Sequence, residues 1–80
     1  MRIGRKDDNE ITLKNDSVSS HHAEIVQRGA QFVISNLAAA NGVYVNNKRV
    51  ETSPLAHNDL VELGEVRFRF LVKDAPNPNL

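Results

Sequence analysis

The sequence predicts an all-β domain, a sandwich or a barrel of short antiparallel strands. No stretch keeps a helical period, and short apolar alternations recur with turn residues between them at nearly even spacing. The clearest run is Val66-Arg67-Phe68-Arg69-Phe70-Leu71-Val72, in which Val66, Phe68, Phe70 and Val72 share one face and Arg67 and Arg69 the other.

The other elements follow in order. Met1-Arg2-Ile3-Gly4-Arg5 reads as the end of a strand cut at its first residues, Lys6 to Asn9 as a turn cluster, and Glu10 to Leu13 as a short strand. Lys14 to His22 is a polar loop with Val18 as its one apolar pin, and it passes straight into an alternation. Strand geometry then expects Ala23 and Ile25 on one face, with His22 and Glu24 on the other. Ala23 to Arg28 and Gln31 to Leu37 form a hairpin around Gly29, with Phe32 and Ile34 on the side of Ile25. Ala38-Ala39-Ala40 is too short to hold a helix in water, and Asn41-Gly42 signals a turn with positive φ. Val43-Tyr44-Val45 and Lys48-Arg49-Val50 flank Asn46-Asn47 as a second hairpin. Thr52 to Asn58 is expected to be a connection, after which Leu60 to Leu63 pairs with the final strand around Gly64-Glu65. Residues 1–72 are thus expected to make the domain and residues 73–80, with Pro76 and Pro78, a tail or linker.

Composition narrows the function. With 80 residues the chain is one domain at most, near the size at which a core barely outweighs chain entropy. Ten basic and ten acidic residues cancel, so no net field draws a nucleic acid backbone. No apolar run approaches a membrane span, and no secretory segment follows Met1. Without cysteine there are no disulfides or thiolate metal sites, and a cytoplasmic setting is preferred.

Catalysis and metal binding fit poorly. His21 and His22 are neighbours that a strand points to opposite faces, so they do not share an ion, and His57 lies in a distant loop. Ser19 and Ser20 lack a nucleophile elbow and an acid to orient a base. No catalytic residue, metal ligand or cofactor is assigned. Asn15-Asp16-Ser17 matches a glycosylation acceptor, a pattern that short sequences produce by chance. Phosphate capture suits the residues better. A phosphomonoester needs a guanidinium, hydroxyl donors and oriented amides, and Arg5, Ser19, Ser20, Asn41 and Gly42 supply those types if their loops meet at one end of the sandwich. Residue types alone favour the plainer alternative, a solvated arginine, serines that satisfy their own loop and an Asn-Gly turn.

Order and spacing sharpen the expectation of phosphate capture. Ile3-Gly4-Arg5, then Ser19-Ser20-His21-His22, then Asn41-Gly42, then Leu60-Val61-Glu62-Leu63-Gly64 resembles the forkhead-associated (FHA) domain over nearly all of residues 3–72. The resemblance implies a β-sandwich and a non-catalytic module that binds phosphothreonine in partner proteins. By position, Arg5 resembles the arginine that grips the phosphate and Ser19 the serine that donates a hydroxyl to it. Ser20 stands where the family often has a longer side chain reaching the peptide, and Asn41 resembles the asparagine that bonds the peptide main chain. Gly4, His22 and Gly42 resemble the residues that support the site.

Two departures carry consequences. Ala38-Ala39-Ala40 replaces a stretch that usually holds hydroxyls, so a donor matching position 40 is absent. The loss of one charge-assisted bond, about 1.5–3 kcal/mol, predicts binding weaker by about one to two powers of ten. Leading strands are also missing before Gly4, so the fold is expected to be N-terminally truncated. On that expectation the chain is either a fragment of a longer protein or a homodimer completed through its open sheet. The alternative function is an assembly domain that has lost phosphate readout.

Overall fold

A computed structural model of the protein describes residues 1–73, among which two β-sheets pack face to face. The strands are β1 (Arg2–Gly4), β2 (Ile11–Thr12), β3 (Ala23–Arg28), β4 (Gln31–Asn36), β5 (Val43–Val45), β6 (Lys48–Val50), β7 (Thr52–Leu55), β8 (Asp59–Leu63) and β9 (Val66–Phe70). One sheet takes the order β2-β1-β3-β4-β7 and the other β6-β5-β8-β9. The all-β sandwich is as the sequence predicts, and no helix among the described residues is long and apolar enough to cross a membrane.

Alternation builds the core. Ile3, Ala23, Ile25, Ile34 and Leu55 point inward from the first sheet, and Val43, Val45, Val61 and Leu63 meet them from the second. Ile25 stands opposite Ile34, as the hairpin pattern requires. Phe32 on β4 and Phe70 on β9 close one end edge to face, with ring centroids 5.3 Å apart. All three expected hairpins form on two-residue loops, with Arg28 opposite Gln31, Val45 opposite Lys48 and Leu63 opposite Val66. Asn46 and Asn47 both take positive φ, 50° and 70°, the signature of a type I′ turn that matches strand twist.

Three features differ from the expectation. Thr52 to Leu55 is a strand rather than a connection, paired with β4 so that Val33 faces Pro54. Proline hides this strand from sequence patterning, and it is tolerated because β7 is an edge with one side needing no donor. β1 and β2 pair in parallel, Ile3 with Ile11 and Gly4 with Thr12, within sheets otherwise antiparallel. Such brief pairing needs only the loop of residues 5–10 to return the chain. β1 is also flanked on both sides, since Ile3 faces Ala23 on β3. The expected tail begins at Lys73, and its remainder lies outside the described residues.

Candidate functional site

Three loops converge where β1 and β4 end and β3 and β5 begin. Backbone amides join the first two: Arg5 donates to the Ser19 carbonyl at 2.9 Å and Lys6 to the Ser20 carbonyl at 3.3 Å, while Leu13 donates back to Gly4 at 2.9 Å. The approach is so close that a Cβ on Gly4 would collide with the Ser20 carbonyl. Gly4 therefore permits this close approach of the two loops by the side chain it lacks.

Beneath this junction lies Asn9, buried and fully bonded. Its amide nitrogen donates to the carbonyls of Lys6 at 2.7 Å and Ser20 at 2.8 Å. Its Oδ1 is left to accept, so the His21 Nδ1 that faces it at 3.0 Å carries a proton. On the far side of His21, the Asp8 carboxylate stands 3.5 Å from Nε2. At the edge of the same loop, the Arg2 amide donates to Glu10 at 2.6 Å and holds that carboxyl below its ordinary pKa.

His22 corrects the strand-face expectation. It is fully buried rather than outward with Glu24, because β3 begins only at Ala23 and strict alternation does not extend into the loop. Its ring joins two loops. Nδ1 accepts the Ser19 amide at 3.1 Å, so Nε2 holds the proton and donates to the Gly42 carbonyl at 2.6 Å. Both polar atoms are satisfied, which makes the burial tolerable. The Leu37 amide donates to the His22 carbonyl at 3.0 Å and draws the third loop against the second.

Ser17 is a second junction. Its amide and hydroxyl donate to Asn15 Oδ1 at 2.8 and 2.6 Å, and the hydroxyl accepts the Glu65 amide at 2.7 Å. Its carbonyl accepts from Asn41 Nδ2 at 2.8 Å, which fixes the asparagine side chain at the rim. Val18, 1% exposed, pins the loop into the core as its apolar character predicts.

What faces solvent is polar and largely uncommitted. Arg5 and Asn41 are exposed, Ser19 and Ser20 half-buried, and neither serine hydroxyl has a protein partner among the described residues. The Arg5 guanidinium stands 3.6 Å from Asp16, an exposed pair that water screens and a stronger anion can displace. Gly42 takes φ of 71°, as the turn signal requires, and the guanidinium of Arg49 rests against its α-carbon. The alanines make a turn, with Ala39 buried and Ala38 and Ala40 exposed. Ala39 accepts the Gly42 amide at 3.1 Å and donates its own to Asn36 Oδ1 at 3.1 Å. Ala38 holds φ of 61°, a conformation that costs a residue with a Cβ about 1–2 kcal/mol.

The structure thus brings Arg5, Ser19, Ser20 and Asn41 to one rim, with Gly4, His22 and Gly42 directly behind it. No enclosed pocket forms among the described residues. Sequence reasoning missed Asn9, Asp16 and Ser17. Asn15-Asp16-Ser17 held a usable signal, since an asparagine side chain that accepts from the residue two positions on is a turn device. Nothing local distinguishes Asn9 from a solvated turn residue.

A family model described as FHA domain matches residues 1–64. The transcriptional regulatory protein EmbR of Mycobacterium tuberculosis is 39% identical over 72 residues, covering 89% of this chain and 19% of that protein. The glycogen accumulation regulator GarA of Mycolicibacterium smegmatis is 38% identical over 68 residues, 85% of this chain and 43% of that protein. The chain spans less than half the length of these curated relatives. Among solved structures, M. tuberculosis EmbR in complex with a low affinity phosphopeptide aligns with a TM-score of 0.87 at 36% identity, over 95% of this chain and 20% of that one. A structure from a study of phosphothreonine-dependent FHA domain interactions also aligns at 0.87, with 31% identity, over 92% of this chain and 77% of that one.

Proposed function

We propose that this chain, which belongs to the FHA domain family, is a non-catalytic module that recognises phosphothreonine in a short, extended peptide and so links proteins in signalling. One observation carries the reading. The exposed Arg5 guanidinium and the unpartnered Ser19 hydroxyl stand on loops joined by the bond from the Arg5 amide to the Ser19 carbonyl.

A phosphate monoester brings nearly two charges and strong acceptor oxygens to such a rim. Arg5 supplies the charge, displacing Asp16, and Ser19 donates its hydroxyl. Ser20 and Asn41 face the peptide, and the Oδ1 of Asn41 remains to accept from its main chain because Nδ2 is held by Ser17. Gly4, His22 and Gly42 keep the loops in place before the ligand arrives, so little ordering entropy opposes binding. The partner is a protein bearing phosphothreonine. The absence of cysteine supports a cytoplasmic setting.

Calorimetric titration tests this with a degenerate phosphothreonine peptide library, its unphosphorylated twin and the variant Arg5→Ala. Heat is expected only with the phosphorylated library, and Arg5→Ala is expected to weaken it roughly 10- to 100-fold, the worth of one charge-assisted bond. A folded sample that gives no heat at high peptide concentration points instead to an assembly domain.

A further inference from the structure

Arg49 stands apart from the machinery described so far. It lies on β6 opposite Tyr44, and its side chain crosses the start of β5 to the Asn41-Gly42 turn. There its Cζ and Nε come within 3.0 Å, and its Nη2 within 3.2 Å, of the point a Cβ on Gly42 would occupy. The guanidinium therefore rests against the α-carbon of Gly42, whose carbonyl is bonded to His22.

Of the other arginines, Arg28 also lacks a partner among the described residues, but it stands at the hairpin end of β3, away from the rim; the other four are engaged. Arg2, Arg5 and Arg67 each face a carboxylate, and Arg69 donates to the Asn58 carbonyl at 3.0 Å. Arg49, exposed and beside the rim, has neither a carboxylate within ion-pair reach nor a hydrogen-bond acceptor among the described residues. A guanidinium carries five donors in a planar fork that matches a carboxylate in bidentate fashion. That fork lies against Gly42, in the same turn as Asn41.

We propose that Arg49 is a specificity-determining residue that binds the carboxylate of an aspartate or glutamate flanking the phosphothreonine. This rests on the proposed placement of the peptide along Arg5, Ser19 and Asn41. Arg5 reads the phosphate, and Arg49 reads its acidic context. The site is at the rim and solvated, so the gain is modest and sensitive to salt.

The test is titration with a phosphothreonine peptide of neutral flanks and with versions carrying a single glutamate scanned along the positions on either side. Wild type, Arg49→Gln and Arg49→Lys are compared, and thermal melts establish that each is folded. At one position glutamate is expected to raise wild-type affinity about two- to fivefold. Arg49→Gln removes that preference, and Arg49→Lys, which keeps the charge without the fork, keeps part of it. If Arg49→Gln weakens neutral and acidic peptides equally, Arg49 only braces Gly42 and the proposal fails. Binding of the neutral peptide with no glutamate preference at any position overturns the proposal and leaves the phosphate site standing. Absence of binding to every phosphopeptide overturns both.

Discussion

Arg5, Ser19, Ser20 and Asn41 at the rim, and Asn9, Ser17 and His22 one layer below, are drawn from similar residue types yet stand in opposite states. The lower set is bonded between loops: His22 joins Ser19 to Gly42, Asn9 joins Lys6 to Ser20, and Ser17 joins Asn15 to Glu65. The rim set spends few of its side-chain polar atoms on the protein. The lower layer holds the loops, which leaves most polar atoms of the rim uncommitted.

Substitutions can break this division of labour. The largest effect is expected from His22→Ala, which leaves the Ser19 amide and the Gly42 carbonyl unpaired and opens a cavity. Urea denaturation should show a loss of about 3 kcal/mol or more, whereas Arg5→Ala should stay within about 0.5 kcal/mol of wild type. Equal losses in the two variants would erase the distinction between the layers.

Ala40→Thr sharpens the comparison from the other side. Position 40 is exposed beside Asn41, and a hydroxyl there restores a donor to the rim without disturbing the buried Ala39. Phosphopeptide affinity is expected to rise roughly tenfold, the lower end of the worth of a charge-assisted bond. A titration that shows no gain would place residue 40 away from the phosphate.

The smallest effect belongs to Asp16→Asn. Asp16 occupies the Arg5 guanidinium at 3.6 Å from an exposed position, so its neutralisation removes a competing anion. Affinity should rise about two- to fivefold at low ionic strength, and the gain should shrink as salt screens the pair. A gain that persists unchanged at high salt would mean that Asp16 acts through loop shape instead.

The rim residues were singled out by resemblance and not by type. Arg5, Ser19 and Asn41 are common occupants of turns, and the order and spacing of their motifs, similar to the FHA pattern, set them apart; the turn at Gly42 is written in an Asn-Gly pair. The lower layer was less legible. His22 was expected to face outward with Glu24, because period-two alternation was carried one residue beyond the strand that justifies it. Asn9 and Ser17 carried the composition of ordinary turns, and only their partners make them structural.

The hairpins and every strand but β7 follow from the sequence by itself, since alternation and turn chemistry act between residues a few positions apart. Val66 to Phe70 is a strand, and Asn46-Asn47 a turn, for reasons contained within each segment. Tertiary structure alone decided the parallel pairing of β1 with β2, the recruitment of Pro54 into an edge strand, the burial of His22, and the bond between Ser17 and Glu65, which are 48 residues apart. Each depends on hydrogen-bond partners supplied by another segment once the sheets have packed, and such partnerships leave no periodic trace along the chain.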